Sequence, residues 1–148
     1  FKVPEGRGDL SKIKIFKKNI YLIDESYNSN PLSLKSALLN YNKVISKKNK
    51  KFLLLGDMLE LGKNSKKLHQ SIAGIINTTK IDKVFIKGHY MKHMFKRLSK
   101  SKKGRILSNK SQIIDLIRHD LKNNDSLMVK ASNATGLNQI VKEIKGIR

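Results

Sequence analysis

Two short acidic clusters are the first chemistry legible in this chain of 148 residues. Asp24 and Glu25 end one apolar run and Asp57 and Glu60 follow another, so that four of the eleven Asp and Glu residues sit in two places. Against 32 Lys and Arg and a formal net charge of +21, carboxylates gathered this way suit the recognition of hydroxyl groups. The competing reading is that they cap helix N-termini and complement their dipoles. Lys130 and Ser132 follow a third apolar run and offer a cation and a hydroxyl to a carboxylate or a developing negative charge. Between the first cluster and Pro31 lies Ser26-Tyr27-Asn28-Ser29-Asn30. There a carboxylate can accept ribose hydroxyls, while Tyr and Asn flank and hydrogen-bond a planar base.

Other candidates carry less. His89 and His93 stand at i, i+4, the spacing of a shared metal ion, but no carboxylate joins them on that segment, and a solvated helix accounts for the pair. No set of residues is therefore read as a metal site. Ser132 has neither a nucleophile elbow nor a histidine partner in sequence, and no side chain is assigned a catalytic role. His69 reads as structural or loop-anchoring, and Met91 and Met94 as ordinary helix core. The absence of cysteine excludes a disulfide scaffold, a thiolate zinc site and a thiol nucleophile.

These residues must be positioned by the elements around them. Strand-like runs fall at Ile20–Ile23, Phe52–Leu55, Val84–Ile86, Arg105–Leu107 and Leu127–Val129, with a weaker one at Ile13–Phe16. Between them apolar residues recur at helical spacing: Leu34 to Ile45, Leu68 to Ile76, Met91 to Leu98, Ile113 to Leu121, and Leu137 to Ile144. Asn30-Pro31 offers an N-cap with Pro at the first helical position, and Ser111 and Thr135 are candidate caps. Strand–helix alternation with short connections predicts one α/β domain over residues 1–148, a doubly wound, mostly parallel sheet of about six strands with helices on both faces. In such sheets ligands sit beyond the carboxyl ends of the strands. That rule selects Asp24-Glu25, Gly56-Asp57, Gly88-His89, Ser108-Asn109 and Lys130-Ala131-Ser132.

The basic excess invites a nucleic-acid reading. Only five of the basic residues are Arg, however, and aromatic residues make up 6% of the chain, which gives neither bidentate forks nor a stacking platform. Lys, Asn and Ile share AT-rich codons, so genome composition explains the lysines, and no specific nucleic-acid partner is expected. A stand-alone basic α/β module that binds nucleic acid or another polyanion is the alternative reading. No stretch approaches the ~18 continuous apolar residues of a membrane span, so no membrane insertion is expected. The chain starts at Phe1 without a signal peptide and reads as a piece of a longer, cytoplasmic protein.

Four blocks, in order, carry a family resemblance. They are Pro4-Glu5-Gly6-Arg7-Gly8, Asp24-Glu25-Ser26-Tyr27-Asn28-Ser29-Asn30-Pro31, Leu54-Leu55-Gly56-Asp57-Met58-Leu59-Glu60-Leu61-Gly62 followed by His69, and Met128-Val129-Lys130-Ala131-Ser132. The second resembles the D-D/E-S-Y-N-A-N-P signature of the Mur ligases, with Ser29 in place of the commoner Ala. The third is similar to that family's L-G-D-M-x-E-L-G…H stretch. The branch resembled is the one that adds D-alanyl-D-alanine to UDP-N-acetylmuramoyl-tripeptide. After Ser132 the family often continues with Gly or Arg, where this chain has Asn133-Ala134-Thr135.

The resemblance implies the Rossmann-like C-terminal domain of a three-domain, bacterial, cytoplasmic amide ligase of peptidoglycan precursor synthesis. ATP and Mg²⁺ would form an acyl phosphate on the tripeptide, which the dipeptide amine then attacks. Both would be held mainly by the central domain, and this chain lacks the G-x-x-x-x-G-K-[ST] phosphate loop. The N-terminal UDP-substrate domain and the central ATPase domain are the implied partners, and the isolated C-terminal domain is expected to be inactive. By matching position, Arg7, Asp24, Glu25, Tyr27, Asn28 and Asn30 are implied on the ATP side. Asp57, Glu60, Lys130 and Ser132 are implied on the dipeptide side.

Overall fold

The order of the six strands in the sheet decides which loops can meet. A computed structural model describes residues 9–44 and 49–147 of the chain. The strands are β1 (Asp9–Ile15), β2 (Lys18–Glu25), β3 (Lys51–Gly56), β4 (Lys83–Lys87), β5 (Lys103–Ile106) and β6 (Ser126–Lys130). They lie side by side as β1-β2-β6-β3-β4-β5. Only β1 is antiparallel, to β2; β2, β6, β3, β4 and β5 run parallel. The late strand β6 is thus inserted between β2 and β3, and the ends of all three come together. The expected mostly parallel, six-stranded α/β sheet is what forms.

Side-chain alternation builds the two layers. Every residue of β3 is buried, as befits a strand covered on both faces. Phe52 and Leu54 join a core with Leu22, Leu127 and Val129. Leu53 and Leu55 join the opposite core with Ile23, Ile86 and Met128. The first core is closed by Ile113, Leu116 and Ile117 of α4 (Lys110–Asp115) and the turn after it, and by Leu137, Val141 and Ile144 of α5 (Leu137–Lys145). The second is closed by Leu34, Leu38 and Tyr41 of α1 (Pro31–Val44), Ile72 and Ile76 of α2 (Ser65–Asn77), and Met91 and Met94 of α3 (Met91–Phe95). Each such side chain contributes roughly 1.5–3 kcal/mol when fully buried. Ile45, Lys47, Lys48 and the block containing Arg7 lie outside the described residues.

The helix boundaries correct four sequence expectations. The helix expected up to Leu98 is regular only to Phe95. The segment expected as one helix to Leu121 widens into a π-helical turn at Leu116–Asp120, where Leu121 N–H donates to Leu116 O. Lys18 Nζ from β2 donates to the carbonyls of Arg118 and Leu121, so an ammonium from the sheet meets carbonyls that the end of the helix leaves unpaired. The cap of α4 is Asn109, not Ser111: Asn109 Oδ1 accepts from Gln112 N–H at 3.0 Å. Thr135 is replaced as the cap of α5 by Gly136, at φ +82. At the first helix the expectation holds, with Asn30 Oδ1 accepting from Ser33 N–H at 2.8 Å and Pro31 opening the helix.

Candidate functional site

Three loops leave the carboxyl edge of the sheet together: 26–30 after β2, 57–62 after β3, and 131–136 after β6. Between the first two stand Lys130 and Ser132, because β6 lies between β2 and β3. Lys130 is only 3% exposed at its side chain and points its ammonium to Asn28 O at 2.8 Å and Glu25 Oε2 at 3.3 Å. Burial pushes its pKa below the ordinary lysine value, and the Glu25 carboxylate partly restores it. Ser132 is buried as well. Its Oγ accepts from Leu59 N–H at 2.9 Å and donates to Ser29 O at 3.2 Å, and its own N–H donates to Asp57 O at 3.1 Å.

The two acidic clusters divide by use. Asp24 is buried, and its Oδ1 accepts from Ser26 N–H at 3.0 Å and from the Ser26 hydroxyl, closing the turn that starts the loop. Its Oδ2 faces Lys145 Nζ at 3.6 Å. Asp57 is also buried, and both oxygens cap the start of α3, accepting from Met91 N–H at 2.8 Å and Tyr90 N–H at 3.1 Å. Gly88 makes that approach possible: it has φ +135, and a Cβ there would lie 2.5 Å from Asp57 Oδ1. Glu25 is part-exposed beside Lys130, and Glu60 is exposed at φ +63. Two carboxylates therefore build the loops, a third pairs with Lys130 between them, and Glu60 stands exposed.

His69 anchors the second loop. It is wholly buried, accepts at Nε2 from Met58 N–H at 3.0 Å, and donates from Nδ1 to Ser65 O at 2.7 Å. That pair of bonds fixes a neutral ring with its proton on Nδ1. Its ring stacks on Tyr90 at 5.5 Å between centroids. Tyr27, 44% exposed, and Asn28, also exposed, form the outer tip of the first loop. Asn30 spends its side chain on the α1 cap. Ser29 Oγ is buried with no hydrogen-bond partner. His89 and His93 are neighbours, with ring centroids 6.2 Å apart, and the described residues contain no cluster of three His, Cys, Asp or Glu able to hold a metal.

The family model described as "Mur ligase, glutamate ligase domain" matches residues 12–133, most of the chain. This chain belongs to the Mur ligase C-terminal domain family. Among curated relatives, it is 31% identical over 137 residues to the UDP-N-acetylmuramoyl-tripeptide–D-alanyl-D-alanine ligase of Rickettsia prowazekii, covering 93% of this chain and 29% of the relative. It is 30% identical to the ligase of the same name from Bacillus subtilis, covering 83% of this chain and 27% of the relative. The chain thus spans under a third of the length of these relatives. The crystal structure of MurF ligase from Thermotoga maritima in complex with ADP shares the fold, with TM-score 0.76 at 22% identity, over 99% of this chain and 32% of that one. A MurF structure from Acinetobacter baumannii matches with TM-score 0.78 at 20% identity, over 98% and 31%.

In this Mur ligase domain the site residues named from sequence gather at one edge of the sheet, save Arg7, which lies outside the described residues. Three contributors to the site had no role assigned to them from sequence. Gly88 makes room for Asp57, Ser26 closes the Asp24 turn, and the backbone carbonyls of Asn28 and Ser29 receive Lys130 and Ser132. Gly88 had a sequence signal, since it directly follows β4; the carbonyls had none.

Proposed function

We propose that this chain is the C-terminal domain of a bacterial, cytoplasmic, ATP-dependent amide ligase that joins D-alanyl-D-alanine to UDP-N-acetylmuramoyl-tripeptide. The observation that carries the reading is the placement of β6 between β2 and β3. It sets a loop of nucleotide-binding composition and a loop bearing an outward carboxylate on either side of Lys130 and Ser132. The relatives from R. prowazekii and B. subtilis, ligases of this kind, support the same reading.

On the nucleotide side, Glu25 is the carboxylate left accessible for ribose hydroxyls, because Asp24 is committed to its own turn. The exposed Tyr27 and Asn28 present a ring and an amide to a flat base, and Asn30 holds the helix start behind them. Arg7 is assigned to the phosphates. On the dipeptide side Glu60 is the exposed carboxylate and suits the dipeptide ammonium, with Asp57 and Ser132 holding the loop that presents it, while Lys130 braces the nucleotide-side loop through Asn28 O and Glu25. ATP supplies the phosphoryl group that activates the tripeptide carboxylate. Its phosphates and Mg²⁺ are assigned to the central domain, and the tripeptide to the N-terminal one, so this domain alone turns nothing over. The contribution of this chain is to orient the two substrates and exclude water on closure.

The test uses the full-length protein. Glu25→Ala and Asn28→Ala raise the KM for ATP more than the KM for D-alanyl-D-alanine. A larger rise for the dipeptide would overturn the assignment of sides.

A further inference from the structure

We infer that Ser132 is a positioning residue that ties the nucleotide-side loop to the dipeptide-side loop, so that a nucleotide on the first orders the second. The inference rests on the functional reading above for the identity of the two sides. A serine hydroxyl has one proton to give, and Ser132 gives it to Ser29 O at 3.2 Å. The same oxygen accepts from Leu59 N–H at 2.9 Å, and the Ser132 N–H holds Asp57 O at 3.1 Å. The side chain is buried and its donor is committed, so it acts through the loops and not as a substrate ligand.

Its neighbours each serve one loop. Lys130 bonds to Asn28 O and Glu25, on the nucleotide side. His69 bonds to Met58 N–H, on the dipeptide side. Ser132 bonds to both. The amide it holds, that of Leu59, immediately precedes Glu60, whose backbone sits at φ +63. A side-chain-bearing residue stays in that region where its surroundings hold it there. Fixing Leu59 N–H therefore sets the direction in which the Glu60 carboxylate is presented, and movement of Ser29 is carried to that carboxylate through a single side chain.

Hydrogen exchange on the full-length ligase with a non-hydrolysable ATP analogue reads this directly. In the wild type the analogue slows exchange in residues 26–30 and also in 57–62, the latter by roughly fivefold or more. In Ser132→Ala protection of 26–30 remains and that of 57–62 falls to the level of the nucleotide-free protein. Ser132→Cys, which keeps the shape of the side chain at a slightly larger size but replaces the hydroxyl by a weak donor, gives the same split and carries the test if the alanine variant does not fold. Protection of 57–62 that persists in either folded variant, or that is absent in the wild type, overturns the inference. Wild-type phosphate release that ignores D-alanyl-D-alanine would instead remove the functional reading beneath it.

Discussion

Replacing Lys130 by Met is the perturbation whose size follows most directly from the structure. The substitution keeps the length of the side chain and removes the ammonium that bonds to Asn28 O at 2.8 Å and Glu25 at 3.3 Å. Hydrogen bonds to a charged group are worth about 1.5–3 kcal/mol each, so the gross loss is about 3–6 kcal/mol. Two effects reduce it. The ammonium is desolvated, which is why its pKa lies below the usual lysine value, and methionine removes that penalty. Glu25, 22% exposed, regains water when its partner leaves. A net loss of about 2–3 kcal/mol remains, chiefly from the Asn28 carbonyl left in the loop without its donor. Urea denaturation at neutral pH, with the midpoint shifted and the slope unchanged, measures it. A loss below about 0.5 kcal/mol, or a gain, would refute the reasoning, because a buried pair replaced by a hydrophobic side chain without cost is not a strut.

The remaining predictions concern the same edge of the sheet. Because folding lowers the Lys130 pKa from 10.5, the unfolded chain binds more protons between the folded value and 10.5, and stability rises with pH there. The gap between wild type and Lys130→Met therefore widens as pH climbs through that window and is flat below it, as urea curves at several pH values will show. Gly88→Ala forces the Asp57 carboxylate off the start of α3 and strains a φ of +135; thermal unfolding should report a loss of about 2–4 kcal/mol. Ser29→Ala removes a buried hydroxyl that has no partner and raises the urea midpoint by about 0.5–2 kcal/mol in stability.

The sheet was legible because its signal is local. β-branched and leucine-rich runs between helical periods marked five strands within two residues of their ends, and the strand-end rule picked out Asp24, Asp57, Gly88 and Lys130 before any fold was known. What was not legible depends on partners far along the chain. Whether Asp57 faces a ligand or caps a helix is decided by Tyr90 and Met91, more than thirty residues on. Whether Lys130 is a free cation is decided by Glu25 and Asn28, more than a hundred residues back. The carbonyls at the end of the π-helical turn at Leu116–Asp120 are met by Lys18, a hundred residues before Arg118, which no helical periodicity can reveal.

The lysines show the same limit. Composition reads them as a solvated background, yet the ammonium groups of Lys18, Lys51, Lys83, Lys102 and Lys130 all donate to backbone carbonyls. Such long side chains reach the unpaired carbonyls at helix and loop ends. Part of the +21 charge therefore serves the fold, and the exposed carboxylate of Glu60 stands out against it.

The most direct measurement of the central claim is mass spectrometry of the product made by the full-length protein from UDP-N-acetylmuramoyl-tripeptide, ATP and D-alanyl-D-alanine. If the chain belongs to this ligase, the tripeptide gains the mass of one D-alanyl-D-alanine less one water, ADP and phosphate form with it, and this domain alone makes no product. ADP and phosphate released at the same rate without the dipeptide, and an unchanged tripeptide mass, would contradict it.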